Sequence, residues 1–389
     1  MGRAFGARMV CLPLVSNVWR QTFAQVDRGR LAHNARMLKA RLGPGVRMMA
    51  GVKADAYGHG AVEASRIFLS AGADALGVAT LEEAVDLRAA GISADILVYG
   101  KFWTASAESA LLHDVALTVY EAHELDVLAA AAGSGRRARV HVKLDTGMTR
   151  LGVRDEEEAV ELIVRASGMA GVELEGVYTH FASADEPLSA GDDGRTAIQA
   201  GRLERVVMQA RARGAHIPLV HAANSAALLR GARYHYDMVR PGIALYGYEP
   251  APAWGIAHDL LPALSLRTQI VRIAEVAEGT PVSYGGTYVT GRTARIATLP
   301  VGYADGVPRS LSNVGSVRLE AGCAPIVGRV CMDQMMIDVT DLDVRQGDEV
   351  ELYGGSGQCG SAQVAADQLG TITYELLCAI SRRVPRVYA

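Results

Sequence analysis

The sequence predicts an α/β fold: a closed (β/α)8 barrel followed by a second, mostly β domain. Short apolar runs alternate with Ala-rich stretches of helical spacing up to about residue 255. Eight such units in roughly 200 residues are typical of this barrel. From Leu264 onward apolar and polar residues alternate between Gly-rich turns, without a helical stretch until about residues 361–379. This second pattern predicts strands that are not separated by helices.

The barrel begins with a helix predicted over Leu31–Leu42, for which Asp27 is the N-cap. The first strand, Arg47–Val52, leads to Lys53, and a helix is predicted over Ala61–Leu69. The other barrel strands are predicted at Ala75–Ala79, Ala94–Tyr99, Val115–Val119, Ala138–Leu144, Leu174–His180, Leu219–Ala222 and Met238–Tyr246. Strands of the second domain are predicted at Leu264–Ile273, Ala294–Leu299, Ser316–Leu319, Ala324–Val330 and Glu349–Gly354.

The predicted domain boundaries are an amino-terminal extension over residues 1–17, the barrel over 18–258 and the β domain over 259–389. The extension carries two arginines before a short apolar run that contains Pro13, and no clear small-residue cleavage site follows. It therefore resembles a signal peptide only weakly. We expect a cytoplasmic protein.

Composition excludes several classes of function. The formal net charge of -3 offers no basic field for nucleic acid. No stretch approaches the ~20 apolar residues that a membrane span requires. The five cysteines are an odd number without CxxC spacing, which argues against a disulfide framework and against a zinc site. A reducing compartment is the expected setting.

Lys53 is the first candidate for chemistry, because it stands at the end of an apolar strand and a Gly- and Tyr-containing turn follows it. In a (β/α)8 barrel the carboxyl ends of the strands carry the active site. The alternative is a rim lysine whose aliphatic stem packs while its ammonium group reaches water.

Other reactive side chains also follow predicted strands. They are Lys143 with Arg150 after the fifth strand, His180 at the sixth, Asn224 and Ser225 after the seventh, and Arg240, Gly242 and Ile243 at the eighth. Ser225 and the backbone N–H groups near Gly242 provide a phosphate cradle where this fold usually holds one. A lysine able to form a Schiff base beside such a cradle indicates pyridoxal phosphate, PLP. Taken singly, His180 reads as a core histidine, Arg240 as an ion-pairing arginine and Asn224 as a helix cap.

Seven stretches closely resemble alanine racemase, a PLP-dependent enzyme of fold type III. The likeness runs from about Phe23 to the end of the chain, and only the amino-terminal extension departs from the family pattern. The stretches are Val52–Gly60, Lys143–Gly152, Tyr178–Ala182, His221–Ala226, Val239–Gly247, Val282–Gly285 and Cys331–Gln334.

The resemblance implies two catalytic bases: Lys53, which carries the cofactor, and Tyr284, supplied by the partner subunit of a homodimer. It also implies that His180 lies between Tyr284 and Arg240. This contact would help the tyrosine act as a base, since a free phenol has a pKa near ~10. Arg150 would meet the substrate carboxylate, with Lys143, which is carbamylated in many relatives, holding it in place.

The remaining roles are implied in the same way. The cofactor would be bound by Tyr57, Asn224, Ser225, Arg240, Gly242, Ile243 and Tyr374. Met332 of the partner would line the substrate site, and Asp185, Tyr303, Arg309 and Arg329 would line the corridor through which substrate enters.

The sequence thus predicts a racemase that interconverts L- and D-alanine for peptidoglycan. A racemase for serine or for several amino acids stays open, since pocket size is not readable from one sequence. A related barrel decarboxylase would set a carboxylate, not Arg240, against the pyridine nitrogen. A non-catalytic PLP carrier with the same barrel would lack the β domain that contains Tyr284.

Overall fold

A computed structural model describes residues 20–133, 135–186, 194–251, 254, 258–355 and 357–389. The predicted extension over residues 1–17 lies outside them. The chain forms two compact units: Asp27–Ala263, and Leu264–Ala389 together with the described residues that precede Asp27.

The unit Asp27–Ala263 is a closed barrel of parallel strands. The last strand pairs with the first, with Met238 opposite Arg47, and this pairing closes the barrel. The eight predicted strands are confirmed, and only the last differs much in length, because a 3-10 helix, Ile243–Tyr246, forms where we expected it to continue. The strands are Arg47–Gly51, Ala75–Val78, Asp95–Val98, Ala116–Val119, Ala138–Lys143, Val172–Tyr178, Leu219–His221 and Met238–Val239.

Helices connect these strands. Asp27 is the N-cap of the first, as predicted, because its side chain accepts a hydrogen bond from the Arg30 N–H at 2.9 Å. The helices are Arg28–Ala40, Ala61–Ser70, Leu81–Ala89, Ala107–Leu112, Ala122–Ala132, Glu156–Gly168, Gly194–Ala212 and Ser225–Arg230, with further 3-10 turns at Thr104–Ser106 and Ala232–Tyr234. The short segment Lys53–Tyr57 coils in the left-handed sense.

The barrel interior changes in character along its axis. At the amino ends of the strands Met49, Leu97 and Met238 belong to a buried apolar cluster. Nearer the carboxyl ends the interior is polar, with His221 fully buried and Arg240 only 5% exposed. Buried polar groups require hydrogen-bond partners, so this layer indicates where the site is built.

The second unit is mostly β. One sheet contains, in spatial order, Gly322–Pro325, Ser316–Leu319, Glu349–Glu351, Leu264–Gln269, Phe23–Val26 and Arg386–Tyr388. A second sheet contains Arg272–Val276, Ala294–Leu299 and Met335–Asp338, and Pro281–Val282 pairs with Tyr288–Val289. The helices are Ala362–Leu369 and Thr373–Ala379, and the 3-10 turns are Tyr284–Gly286, Tyr303–Asp305 and Arg309–Leu311.

Two expectations need correction. The strand Phe23–Val26 lies in the sheet of the second unit, antiparallel to Leu264–Gln269, although residues from 18 onward were assigned to the barrel. Such a long-range pairing leaves no local pattern. Cys323 and Cys359 form a disulfide, so the expectation drawn from the cysteine count is wrong for this pair. Within the described ranges, no helix has both the length and the apolar character to cross a membrane.

Candidate active site

The chain makes a left-handed turn directly after Lys53. Ala54, Asp55, Ala56 and Tyr57 all have φ between 52° and 54°. For L-residues this conformation costs roughly 1–2 kcal/mol each. Hydrogen bonds from surrounding groups hold it: Glu83 Oε1 accepts from the Ala54 N–H at 2.6 Å, and Asp55 Oδ1 accepts from the Ala61 N–H at 2.7 Å. Strain maintained in this way is common at functional sites.

The turn brings Tyr57 against the loop after the eighth strand. A Cβ atom on Gly242 would lie only 2.3 Å from the Tyr57 hydroxyl oxygen, so glycine is required for this approach. Ser225 Oγ accepts hydrogen bonds from the N–H groups of Gly242 at 2.9 Å and Ala244 at 3.3 Å. We call Tyr57, Ser225, Gly242 and Ile243 the anion cradle. The hydroxyl groups of Tyr57 and Ser225 and the N–H of Ile243 fit a phosphate, and Ser225 Oγ, which accepts from Gly242, keeps its own O–H to donate.

Asn224 fixes the start of the helix that carries Ser225 of this cradle. Its side-chain oxygen accepts from the Ala227 N–H at 3.0 Å, and its amide group donates to the Phe181 carbonyl at 3.3 Å. Asn224 is therefore the N-cap of helix Ser225–Arg230. It positions Ser225 and ties the ends of two strands together.

Arg240 is a buried cation held mainly by neutral groups. Its Nη1 donates to His221 Nδ1 at 2.6 Å, and its Nη2 donates to the carbonyl oxygens of Thr179 at 2.7 Å and Ala222 at 3.1 Å. In the part of the chain that the structure describes, Arg240 forms no ion pair and its Nε–H has no hydrogen-bond acceptor. Burial lowers the pKa of its guanidinium. An N–H of this kind fits the unprotonated ring nitrogen of PLP.

His180 stands beside Arg240 at the end of the sixth strand. Its Nδ1 lies 3.4 Å from Arg240 Nη2, which can only donate, and this contact favours the tautomer with the ring proton on Nε2. The pKa of His180 lies well below its usual range, because the ring is desolvated and because Arg240, Lys143, Arg150 and Lys53 add positive charge. His180 is therefore neutral at physiological pH.

Lys143 is 5% exposed and lies 5.2 Å from the centre of the Tyr178 ring. Desolvation, with the charges of Arg240 and Arg150, lowers its pKa to about 8. The Asp145 carboxylate accepts hydrogen bonds from two backbone N–H groups at 2.9 and 3.1 Å and thereby shapes the loop that carries the exposed Arg150. Lys143, Arg150 and Arg240 thus place positive charge around His180 at the carboxyl ends of the strands.

The second unit presents its own group of predicted residues. Ser283 Oγ donates to the Arg329 carbonyl at 2.8 Å, and the Tyr303 N–H donates to the Cys331 carbonyl at 3.0 Å. These bonds bring the turns that carry Tyr284 and Tyr303 to the segment 329–332. Tyr284 is 72% exposed and Met332 is 53% exposed.

The other predicted residues lie as follows. The Arg309 turn joins the same segment, because Ser312 Oγ accepts from the Val330 N–H at 2.9 Å. Arg309 is exposed, and Tyr374 is half-buried in the helix Thr373–Ala379. In the barrel unit, Asp185 is exposed on the loop that follows the sixth strand.

Sequence reasoning did not single out Tyr178, His141 or Glu83. Tyr178 stacks on His221, with ring centres 4.7 Å apart, and Arg240 lies over its ring at 5.0 Å. A signal for His141 was present: it precedes Lys143 by two residues, so both point to the same side of the strand.

The chain is similar to known proteins over most of its length. The family model described as alanine racemase, N-terminal domain, matches residues 26–250, and that of the C-terminal domain matches residues 263–388. The alanine racemase of Halothermothrix orenii is 45% identical over 374 residues, which cover 95% of this chain and 97% of that protein. The crystal structure of alanine racemase from Bacillus anthracis with bound L-Ala-P has a TM-score of 0.88 and 38% identity, covering 95% of each chain. That from the D-cycloserine producing Streptomyces lavendulae has a TM-score of 0.88 and 37% identity, covering 95% of this chain and 97% of the other.

Proposed function

The chain belongs to the alanine racemase family, and we propose that it interconverts L- and D-alanine with PLP at the carboxyl ends of the barrel strands. The product D-alanine is used in peptidoglycan. The observation that carries the proposal is the charge around His180. Four cations, Arg240, Lys143, Arg150 and Lys53, act on this one neutral ring. A site with this excess of positive charge suits a phosphate-bearing cofactor and a substrate carboxylate.

The residues of the barrel fit PLP at both ends of the molecule. The anion cradle would hold the phosphate, with Tyr374 as a further ligand and Asn224 fixing the position of Ser225. Arg240 would donate to the ring nitrogen, and Lys53 would carry the cofactor. When bound, PLP withdraws electron density from the substrate Cα, which makes the Cα proton acidic.

Racemisation requires one group that removes the Cα proton and one that returns a proton on the opposite face. Lys53 would serve one face and Tyr284 the other. His180 is a neutral ring with its proton on Nε2, so it would donate to the Tyr284 oxygen and favour the phenolate. Arg150 would bind the substrate carboxylate, and Lys143 would hold Arg150 in place.

The exposure of Tyr284 and Met332 supports a homodimer with shared sites. Large apolar side chains of this kind are usually covered when they are functional. We propose that a second copy of the chain covers them and that each copy supplies Tyr284 and Met332 to the other's barrel. Tyr303, Arg309, Arg329 and Asp185 would line the corridor to this site, and the reaction would take place in the cytoplasm.

The direct test is polarimetry with the purified protein and each L-amino acid in turn. We expect loss of optical rotation with alanine, and we expect Lys53→Ala to abolish it. Lys101→Ala is the matched control, because Lys101 also follows a barrel strand but is paired with Glu121 at 2.8 Å. Equal rates with several amino acids would indicate a broad racemase, and release of carbon dioxide a decarboxylase. Bound PLP without any reaction would indicate a carrier.

A further inference from the structure

Behind Arg240 a chain of polar contacts, two hydrogen bonds and a longer contact to a carboxylate, runs through the barrel towards the amino ends of the strands. Arg240 Nη1 lies 2.6 Å from His221 Nδ1, His221 Nε2 lies 2.9 Å from His141 Nδ1, and His141 Nε2 lies 3.4 Å from Glu175 Oε2. His221 is fully buried and His141 is 3% exposed. None of the roles described above uses His141 or Glu175.

The proton positions along this chain follow from its first member. A guanidinium only donates, so His221 Nδ1 accepts and its proton is on Nε2. That proton is donated to His141 Nδ1, so the proton of His141 is on Nε2 and points at Glu175. Burial lowers the pKa of both rings, which keeps them neutral. Each group therefore donates to the next, in one direction from Arg240 to the Glu175 carboxylate.

Ion pairs hold the Glu175 end of this chain of contacts. Glu175 Oε1 accepts from Arg139 Nε at 2.6 Å, and Arg139 also binds Asp95 at 2.6 Å. These three side chains line a cavity of about 280 Å³ together with Arg47 and His141. Asp95 and Arg47 begin their strands, so the cavity lies at the barrel end opposite to Lys53.

The histidine rings have little freedom to reorient. Tyr178 stacks on His221 with an angle of 3° between the rings, and the Tyr178 hydroxyl is bound to Thr118 Oγ1 at 2.7 Å. Arg240 lies over the Tyr178 ring. If the acceptor at Glu175 were lost, His141 would be free to carry its proton on Nδ1. That proton would face the Nε2–H of His221, and the conflict would be relieved only if His221 placed its proton towards Arg240.

We propose that Glu175 and His141 are positioning residues, which set the tautomer of His221 and so hold the Arg240 guanidinium in place for the cofactor ring. This inference rests on the proposed function, because it assigns Arg240 to the PLP ring nitrogen. It predicts that a carboxylate at one end of the barrel affects the reaction at the other end.

The test compares three variants of the holoenzyme. Glu175→Met removes the acceptor, Glu175→Gln keeps an oxygen at the same position, and Glu173→Met changes an exposed residue of the same strand that lines the same cavity. We expect Glu175→Met to lower kcat by ~10-fold to ~100-fold with little change in KM, the range typical of groups that orient a site. It should also shift the absorbance of bound PLP. Glu175→Gln should restore most of both properties, and Glu173→Met should match the wild type.

A second measurement does not depend on catalysis or on how well the Glu175 variants fold. Nitrogen-15 NMR of histidine-labelled wild-type protein, assigned with His141→Gln, should show the proton on Nε2 in both His141 and His221. A proton on Nδ1 of His221 would overturn the inference, as would unchanged kcat and absorbance in folded Glu175→Met. Failure of the proposed function is distinct: the wild type would then bind no PLP or leave alanine unchanged, whatever the tautomers.

Discussion

Replacing Gly242 by alanine should weaken the binding of PLP while leaving the barrel folded. The added Cβ would lie 2.3 Å from the Tyr57 hydroxyl oxygen, whereas ordinary contacts begin at 3.4 Å. The ring must therefore retreat by about 1 Å. It has little room, because it packs on Tyr246 at 4.8 Å, and the Tyr246 hydroxyl is itself bound to the Gly51 carbonyl at 2.8 Å.

The expected change in the Kd for PLP follows from the loss of the proposed hydrogen bond between the Tyr57 hydroxyl and the phosphate. A hydrogen bond to a charged group contributes ~1.5–3 kcal/mol, so the Kd for PLP should rise by ~10-fold to ~100-fold. Equilibrium dialysis of the apoenzyme against PLP measures this. Tyr57→Phe should cause a similar loss, and the double variant should be little worse than either single one, because both remove the same contact.

Gly168→Ala is the matched control, since no atom lies within 4 Å of the position of its added Cβ. Its Kd for PLP should equal that of the wild type. Binding of PLP by Gly242→Ala as tight as by the control would contradict the proposed role of the anion cradle, as would an effect that simply adds to that of Tyr57→Phe.

Three further predictions concern single residues. Borohydride reduction of the holoenzyme should fix the pyridoxyl group to Lys53, as peptide mass mapping would show; a label on another lysine contradicts the assignment. Lys143 has a pKa of about 8 in the folded chain against 10.5 for a free lysine. Between these values the unfolded chain retains a proton that the folded chain has released, so the free energy of unfolding should rise with pH by ~3 kcal/mol. Urea titrations should show this rise in the wild type and not in Lys143→Met. If the free energy of unfolding depends on pH equally in the two proteins, the pKa of Lys143 is not lowered. Tyr284→Phe should make the exchange of the Cα hydrogen strongly unequal for L- and D-alanine, measured by NMR in deuterium oxide, and equal exchange at a near-normal rate would mean that Tyr284 is not a base.

Much of the barrel was predictable because its signals are local. The eight strands follow from apolar runs, and the position of His180 and Arg240 follows from the rule that side chains at the carboxyl ends of the strands meet. The cap at Asp27 needed only the residue type and the helix after it. In each case the pattern lies within a few residues of the element that it predicts.

Other features depend on contacts between distant residues, and no local pattern reports them. The left-handed turn after Lys53 contains no glycine among its four residues. It is held by Glu83, which lies in the barrel helix Leu81–Ala89. The disulfide joins cysteines that are 36 residues apart. The four residues from Arg240 to Glu175 belong to four different strands or strand ends, and only the barrel geometry brings them together.

We propose that Lys53 of one copy and Tyr284 of another act on the same alanine. Mixing Lys53→Ala with Tyr284→Phe, each inactive alone, tests this most directly. After subunit exchange, half of the dimers are mixed, and each mixed dimer has one intact site, so racemisation of L-alanine should return to about a quarter of the wild-type rate. Absence of any recovery, once mass spectrometry of the native dimers has demonstrated exchange, would mean that the two residues serve the same chain's site and would contradict the claim.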